Sequence, residues 1–291
     1  MQRGVRPARP HTGLTSEGRR IREVLSYSRR GSRMGTRQQQ AWERRRHEWW
    51  IPDEVVDEPG FDLRARFGRT APLVVEIGSG VGEATVALAA ARPSYDVLGI
   101  EVWQPGVADT FHRMEQAGID NVRMISVDAV WSMEHLLGPR SVSELWTFFP
   151  DPWPKQRHHR RRLVVPAFAH LAASRLVTGG HWRLATDWPD YAEQMARVLD
   201  AEPLLRNAYD EPAPRWQDRP LTRFERRGSR PDARSPTWTT GASDFGCGCA
   251  GARAAPRRGP AGPRRGGVAR RAPRPAQSQD GGPEEEAAPP G

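Results

Sequence analysis

"LVVEIGSGVGEAT", residues 73–85, passes from a short apolar run through a glycine-rich turn into a helix-forming segment. A five-residue run of this kind that stops at glycine is typical of a buried strand. Glycines allow the backbone to turn tightly and to come close to a ligand. Strand, glycine turn and helix in this order predict the first unit of an open α/β sheet that binds at the carboxyl ends of its strands.

The same alternation continues after this stretch. Strands are predicted at Leu73–Ile77, Val97–Glu101, Val122–Val127, Leu145–Phe149 and His181–Thr186, with an edge strand at Pro203–Asn207. Helices are predicted at Ala84–Ala91, Val107–Ala117, Trp131–Leu137, Leu163–Leu176 and Tyr191–Leu199. Alternating strands and helices predict an α/β fold, with a mostly parallel sheet and helices on both faces.

The spacing of the glycines narrows the class of ligand. Gly78, Gly80 and Gly82 are evenly spaced, unlike the Gly-x-Gly-x-x-Gly fingerprint of dinucleotide-binding proteins. The carboxylate of Glu76 would repel a pyrophosphate but suits a ligand that carries positive charge. An NAD-dependent oxidoreductase is therefore disfavoured, while a purely structural turn stays open.

Two further acids follow the next two predicted strands. Glu101 lies 21 residues after Gly80, close to the roughly 20-residue offset at which an acid reaches ribose hydroxyls. Asp128 lies at the tip of the third predicted strand. Singly these are ordinary loop charges, but together with Glu76 and the glycine turn they predict a nucleoside-binding cleft.

A second stretch, "LWTFFPDPWPKQRHHRRR" at 145–162, ends a strand in prolines and then becomes basic. Prolines restrict the backbone, so we expect Asp151 to be held rigidly at the carboxyl edge of the sheet. Trp153 offers either a stacking wall for a purine, worth roughly 1–3 kcal/mol, or a packing contact with the next helix. Seven of the eight residues 155–162 are cationic or titratable, which favours contact with an RNA backbone over a solvated loop.

Charge divides the chain into three parts. Residues 51–225 carry 25 acidic and 19 basic side chains, whereas both ends are strongly basic and the whole chain carries a formal charge of +9. A pI near 10.7 favours a polyanionic partner. Lys155 is the one lysine beside 43 arginines. Only two cysteines occur, one residue apart in a glycine-rich segment, so we expect no metal site.

The order of these motifs resembles the class I S-adenosylmethionine-dependent methyltransferases, which have a Rossmann-like sheet. "EIGSGVG", "GIEVWQPGV", "FFPDPWPKQRHHRRR", "ATDWPDYAEQM" and "RPLTRFERRG" resemble one family in particular, the bacterial tRNA (guanine-N7-)-methyltransferases. The resemblance covers about residues 19–228. It implies methyl transfer from S-adenosylmethionine to N7 of a tRNA guanine.

The resemblance also assigns roles to individual residues. The positions that it implies for S-adenosylmethionine binding are Glu76, Gly78, Gly80, Glu101, Asp128 and Asp151, of which Asp151 is also the implied catalytic residue. Those implied for the substrate are Lys155, Asp187, Thr222, Arg223, Phe224 and Glu225, with Arg157, Arg160 and Arg161 facing the tRNA.

Guanine N7 already carries a lone pair, so its methylation requires alignment rather than prior removal of a proton. We expect Asp151 and Asp187 to hold the base and offset its new positive charge, although Asp187 as a helix N-cap stays open. Glu225 can accept hydrogen bonds from guanine N1–H and N2–H₂, which adenine lacks.

The expected organisation is a disordered tail at 1–18, a basic helical arm at 19–69, a methyltransferase domain at 70–228 and a low-complexity tail at 229–291. Family members continue after the Thr-x-Phe-Glu motif with a last sheet strand. Here "SPTWTT" is a poor candidate for it, so the sequence leaves open whether this last strand is present.

Two alternative functions stay open: a methyltransferase acting on another RNA or a small molecule, and a non-catalytic RNA-binding protein. The sequence contains no uninterrupted apolar run of about 18 residues, the length that a membrane-spanning helix requires. We therefore expect a cytoplasmic protein without membrane contact. We expect tRNA as partner and favour a monomer.

Overall fold

The structure is a computed structural model that describes residues 26, 31, 33–52, 58, 60–209, 215–223, 226 and 237–242. The predicted tail 1–18 lies outside the described residues. So does the predicted tail 229–291, apart from 237–242.

Eight strands form one mostly parallel sheet. They are β1 (Trp50–Ile51), β2 (Leu73–Ile77), β3 (Asp96–Ile100), β4 (Val122–Ile125), β5 (Val142–Phe148), β6 (Leu176–Ala185), β7 (Leu205–Asn207) and β8 (Thr237–Ala242). Their order across the sheet is β1-β4-β3-β2-β5-β6-β8-β7. Strands β1 to β6 pair in parallel, which confirms the α/β prediction and each predicted strand within a few residues at its ends.

In the described part of the chain, six α-helices accompany the sheet. They are α1 (Thr36–Trp49), α2 (Glu83–Ala91), α3 (Gln104–Ala117), α4 (Ala129–His135), α5 (Pro166–Arg175) and α6 (Pro189–Asp200). Helices α1 to α3 pack in one apolar core, while α4 to α6 pack in another. Neighbouring strand residues point to opposite faces, so Val74 enters the first core and Val75 the second. Both faces are thus covered, which explains why the strands read as continuous apolar runs.

Helix α1 lies within the expected basic arm, residues 19–69, and packs along α3. Trp42 stacks on Phe111 at a centroid distance of 5.8 Å, and Trp49 donates through Nε1 to Asp120 at 2.6 Å. Arg44 and Arg45 both bond to Glu115, and these bonds lower the pKa of Glu115 to about 2. Two arginines of the arm therefore attach it to the domain.

A last strand, which the sequence leaves open, is present as β8. Strand β8 lies between β6 and β7 and pairs antiparallel with both, from Ala185↔Thr237 to His181↔Gly241 on the β6 side. Its sequence, "TWTTGA", is rich in Thr, which favours extended backbone, although it lacks the apolar run that marks the other strands. Strand β7 is an edge strand, as predicted.

Candidate active site

Acidic side chains lie where five neighbouring strands end. Strands β4, β3, β2, β5 and β6 are consecutive across the sheet, and Asp128, Glu101, Glu76, Asp151 and Asp187 lie at or just beyond their carboxyl ends. Because these strands are parallel, their carboxyl ends share one edge. The structure thus brings the predicted acids to a single edge of the sheet.

Backbone bonds fix the start of each loop at this edge. Gly78 N–H donates to Ile100 O at 2.8 Å, and Glu101 N–H donates to Ile125 O at 3.0 Å. On the other side Phe149 N–H donates to Ala185 O, also at 2.8 Å. The sheet ladder therefore extends past the strand ends and sets where the loops leave it.

The glycine turn is closed on one side and open on the other. Gly78 and Gly80 have φ of 79° and 59°, which glycine adopts without the clash of a Cβ, and no atom of the described residues lies within 4 Å of where a Cβ would stand. On the closed side, a Cβ at Gly106 in α3 would lie 2.2 Å from Gly80 O. Helix α3 thus supports the turn from behind while the open side can accept a ligand.

Glu101 joins the glycine turn to the loop after β3. Its Oε2 accepts from Gly80 N–H at 2.7 Å and its Oε1 accepts from Trp103 N–H at 2.8 Å. The residue is 9% exposed. The predicted ribose acid therefore contacts the turn directly, as the 21-residue spacing indicates.

Glu76 is buried beneath the turn. Its Oε2 accepts from Thr85 Oγ1 at 2.5 Å. Burial raises the pKa of Glu76 to about 7, helped by the charge of Glu101 and opposed by the Thr85 hydrogen bond. A pKa of about 7 means that both the neutral and the charged form of this carboxyl are populated near neutral pH.

Asp128 caps helix α4. Its Oδ1 accepts from Val130 N–H at 3.0 Å and from Trp131 N–H at 3.3 Å, and the residue is fully buried. Capping is a structural task that the sequence analysis did not assign to this acid. These two hydrogen bonds hold the Asp128 carboxylate just beyond the end of β4.

The Asp151 corner, residues 149–153, is a sharp turn with left-handed backbone at both ends. Phe149 has φ of 51° and Trp153 has φ of 47°, conformations that cost a non-glycine residue roughly 1–3 kcal/mol. Trp153 is held by a bond from its Nε1 to Ser26 O at 3.0 Å. Prolines on both sides of the half-buried Asp151 restrict the backbone further.

The ring of Trp153 packs against the basic segment that follows it. The Arg161 guanidinium lies 3.5 Å from the ring centroid, and His158 meets the ring edge-on at 6.0 Å. These contacts favour the packing alternative for Trp153. They also place the half-buried Arg161 directly over the corner.

The basic segment forms a 3₁₀ helix, Gln156–Arg161. Lys155, Arg157 and Arg160 are exposed, as expected for residues that meet a polyanion. Desolvation and the surrounding Arg157, Arg161, Lys155 and Arg160 lower the pKa of His158, so the cluster disfavours a further positive charge.

Arg162 is the exception within this segment. We expected residues 160–162 all to face RNA, but the Arg162 side chain is only 1% exposed. Four side-chain and backbone acceptors surround its guanidinium. The basic run conceals this role because charge patterning does not distinguish a buried arginine from its exposed neighbours.

Asp187 follows β6 and lies beside the start of α6. The N-cap residue of this helix is Trp188, whose N–H donates to Thr186 Oγ1 at 3.2 Å, and no side chain caps the helix. The N-cap alternative for Asp187 is therefore wrong. Its half-buried side chain lies at the same sheet edge as the Asp151 corner.

The segment that contains Thr222 and Arg223 reaches the glycine turn. Arg223 N–H donates to the Glu83 carboxylate, and Glu83 is the first residue after the turn. Glu83 also pairs with Arg113, whose Nε donates to Val81 O at 2.9 Å. Glu83 thus connects the glycine turn, predicted to bind S-adenosylmethionine, with the Thr222–Arg223 segment, predicted to bind the substrate. The spacing of the motifs did not suggest this connection. Phe224 and Glu225 lie outside the described residues.

Upstream contacts fasten this segment to the sheet. Trp216 lies between two guanidinium groups, those of Arg92 at 4.8 Å and Arg183 at 4.3 Å. Arg219 is buried over Phe148 and Phe149 at 5.3 and 5.1 Å. The same aromatic residues that lead into the Asp151 corner therefore support the Thr222 segment.

The residues around the glycine turn fit S-adenosylmethionine. Ser79 Oγ is buried and has no hydrogen-bond partner among the described residues, so it is available to a ligand. The open side of Gly78 and Gly80, the ribose acid Glu101 and the buried carboxyl of Glu76 suit a nucleoside that carries positive charge and no phosphate.

The described part of the chain offers neither a cluster of metal ligands nor a membrane-spanning helix. No group of three or more His, Cys, Asp or Glu side chains there is arranged to hold a metal ion. None of the helices in that part combines the length and apolar character that crossing a bilayer requires.

A mostly parallel sheet with a glycine turn after its central strand and acids along one edge defines a Rossmann-like, S-adenosylmethionine-dependent methyltransferase. Residues 70–235 match the family model described as a putative methyltransferase. The chain belongs to the tRNA (guanine-N7-)-methyltransferase family, as its relatives demonstrate.

A tRNA (guanine-N(7)-)-methyltransferase of Nocardioides sp. is 64% identical over 225 residues, covering 77% of this chain and 90% of that protein. The protein of the same name from Cutibacterium acnes is 48% identical over 227 residues, covering 74% of this chain and 82% of that protein. The one from Bordetella pertussis is 46% identical over 207 residues, covering 71% and 80%.

Proposed function

We propose that this protein transfers a methyl group from S-adenosylmethionine to N7 of a guanine in tRNA. The observation that carries the proposal is the common position of the glycine turn, the Asp151 corner and the basic 3₁₀ helix at one sheet edge. The activity named for the relatives supports it. The partner is tRNA, and we propose a cytoplasmic location because the substrate is a tRNA.

The donor is held by the glycine-turn side of this edge. Gly78 and Gly80 would let the backbone approach it, Glu101 and Asp128 would bind its nucleoside, and Glu76 and Asp151 would lie near its charged part. When bound, S-adenosylmethionine supplies a methyl group on a positively charged sulfur. A carboxylate offers about four acceptor positions, so the two backbone bonds of Glu101 are compatible with binding ribose hydroxyls.

The guanine would be held on the other side, by Asp151 and Asp187. Its N7 needs no base to remove a proton, so the contribution of these residues is placement and charge. Methylation leaves a positive charge on the purine, and two fixed carboxylates beside it stabilise that charge as it develops. Rigid placement of Asp151 by prolines and by the ladder bond of Phe149 suits this role.

Recognition of the base would come from the segment next to the glycine turn. Glu225 would accept from guanine N1–H and N2–H₂, and Thr222, Arg223 and Phe224 would complete the grip on a base turned out of the tRNA stack. Lys155, Arg157, Arg160 and Arg161 would meet phosphates, with Arg161 already oriented by Trp153.

The direct test is nucleoside analysis of unmodified tRNA after incubation with this protein and S-adenosylmethionine carrying a labelled methyl group. The expected result is label in 7-methylguanosine and in no other nucleoside. Label in a different nucleoside, or the absence of label despite tRNA binding, would contradict the proposal.

A further inference from the structure

We infer that Arg162 is a positioning residue for methyl transfer, holding the Asp151 corner in place against helix α6. The inference rests on the proposed function, because it concerns the placement of the proposed catalytic carboxylate. It assigns a role to an arginine whose side chain is only 1% exposed.

The guanidinium of Arg162 makes directed bonds on three of its nitrogens. Its Nε donates to Pro152 O at 2.9 Å, its Nη1 donates to Gln194 Oε1 at 2.8 Å, and its Nη2 donates to the Asp190 carboxylate. The group also lies over the ring of Tyr191, 4.8 Å from its centroid. Its orientation is therefore fixed from several directions.

These bonds join two loops that carry proposed site residues. Pro152 directly follows Asp151, while Asp190 and Gln194 belong to α6, which begins two residues after Asp187. One rigid planar group thus sets the distance between the Asp151 corner and the loop of Asp187. The bond from Arg162 to Pro152 spans ten residues and so joins the two ends of the segment that contains the basic 3₁₀ helix.

Further hydrogen bonds hold the side chains that contact Arg162. Gln194 Nε2 donates to Val164 O at 3.0 Å, and Val164 N–H donates to Tyr191 Oη at 3.1 Å. The side chains that receive Arg162 are therefore tied to the chain just after it. Such a closed network fixes geometry more tightly than any of its bonds alone.

Stability alone does not account for this arrangement. In the ion pair with Asp190 the arginine side chain is 1% exposed and the carboxylate 53% exposed, so the guanidinium loses its hydration while solvent screens its attraction to the carboxylate. Such a pair contributes little net stability. A lysine would supply the charge but not the planar fork that reaches Pro152, Gln194 and Asp190 together. The geometry that only arginine provides is the property that a positioning role needs.

The test compares steady-state methyl transfer to tRNA by the wild-type protein and by Arg162→Lys, Arg162→Met and Asp190→Ala. Arg123→Met is the matched control, because Arg123 is also buried and donates to backbone carbonyls of Arg66, Asp120 and Val122 at the opposite edge of the sheet. Melting temperatures are measured in parallel, and assays are run well below all of them.

We expect both Arg162 variants to lose kcat on the order of 10²-fold, since a displacement near 1 Å of a catalytic group costs about that much. Asp190→Ala should lose kcat severalfold, because the contacts of Arg162 with Pro152, Gln194 and His159 remain. KM for S-adenosylmethionine should stay within about threefold, and Arg123→Met should keep its kcat despite a comparable fall in melting temperature.

Wild-type kcat in Arg162→Lys and Asp190→Ala would overturn the inference while leaving the proposed function intact. The inference would also be overturned if Arg123→Met lost kcat in proportion to the fall in its melting temperature. The loss of kcat in the Arg162 variants would then follow from lower stability. A wild-type protein that forms no 7-methylguanosine would overturn the proposed function, and this inference with it. Arg162→Lys and Asp190→Ala decide the matter if Arg162→Met does not fold.

Discussion

Asp151 concentrates the proposed chemistry in a single residue. Its carboxylate lies between prolines at the end of β5, where the backbone leaves little freedom to adjust. Asp151→Ala should reduce transfer of labelled methyl to tRNA guanine by on the order of 10²–10³-fold, the usual loss when one fixed stabilising group is removed.

Because Asp151 is only half-buried, its effect on activity can be measured separately from any effect on stability. The Asp151→Ala protein should keep its near-ultraviolet circular dichroism and its melting temperature within a few degrees. Near-normal turnover in this variant would contradict the catalytic role proposed for Asp151.

Glu76 links the site to pH through its burial. Its pKa is raised from 4.5 to about 7, so the folded protein binds this proton more tightly than the unfolded chain does. The contribution to stability is therefore complete below about pH 4.5 and is lost as pH rises through about 7, amounting to about 3 kcal/mol.

Glu76→Gln removes this titration while keeping a similar shape. The free energy of unfolding, measured by urea denaturation without ligand, should fall between pH 4.5 and 8 by about 3 kcal/mol more in the wild type than in this variant. Thr85→Val deletes the bond that opposes the shift, so it should move the wild-type transition to higher pH. Parallel curves for wild type and Glu76→Gln would refute the assignment.

At the scale of elements, the basic 3₁₀ helix Gln156–Arg161 is proposed to bind tRNA without taking part in methyl transfer. Arg157 and Arg160 are exposed, so their neutralisation removes charge without disturbing packing. Arg157→Gln with Arg160→Gln should weaken tRNA binding and reduce the slope of log affinity against log salt by about one for each lost phosphate contact.

The matched control is Arg197→Gln with Arg206→Gln, which removes two exposed charges from the end of α6 and from β7. These positions lie away from the carboxyl edge of the sheet. Filter binding at several salt concentrations measures both slopes. Equal slopes for the two double variants would show that the 3₁₀ helix does not contact phosphates.

The elements that the sequence predicted well are those with a strong local signal. Strands β2 to β5 are buried at nearly every position, and β6 is buried where it ends at the site, at Leu184 and Ala185. The spacing of the glycines indicates the left-handed backbone of the glycine turn. The burial of Arg162 and the presence of β8 could not be predicted, for the opposite reason. The burial of Arg162 depends on α6, distant in sequence, and β8 is held by neighbours on both sides rather than by an apolar run.

At the scale of the whole molecule, β8 completes the sheet by joining β7 to β6. Without it, the edge of β6 would lose its partner and β7 would lose its only neighbour in the described sheet. A truncation after Gly228 removes β8, whereas a truncation after Gly246 retains it. With several ladder bonds lost at about 1 kcal/mol each, the shorter chain should be destabilised by at least about 3 kcal/mol.

The comparison is made by urea denaturation of the two truncated chains and the full chain. The chain ending at Gly246 should match the full chain in midpoint and in methyl transfer, because the same strands remain paired. The chain ending at Gly228 should unfold at lower urea and lose activity together with stability, since β6 leads directly to Asp187. If the Gly228 chain unfolded at the same midpoint as the Gly246 chain, β8 would contribute nothing to the sheet, and the position assigned to Thr237–Ala242 would be wrong.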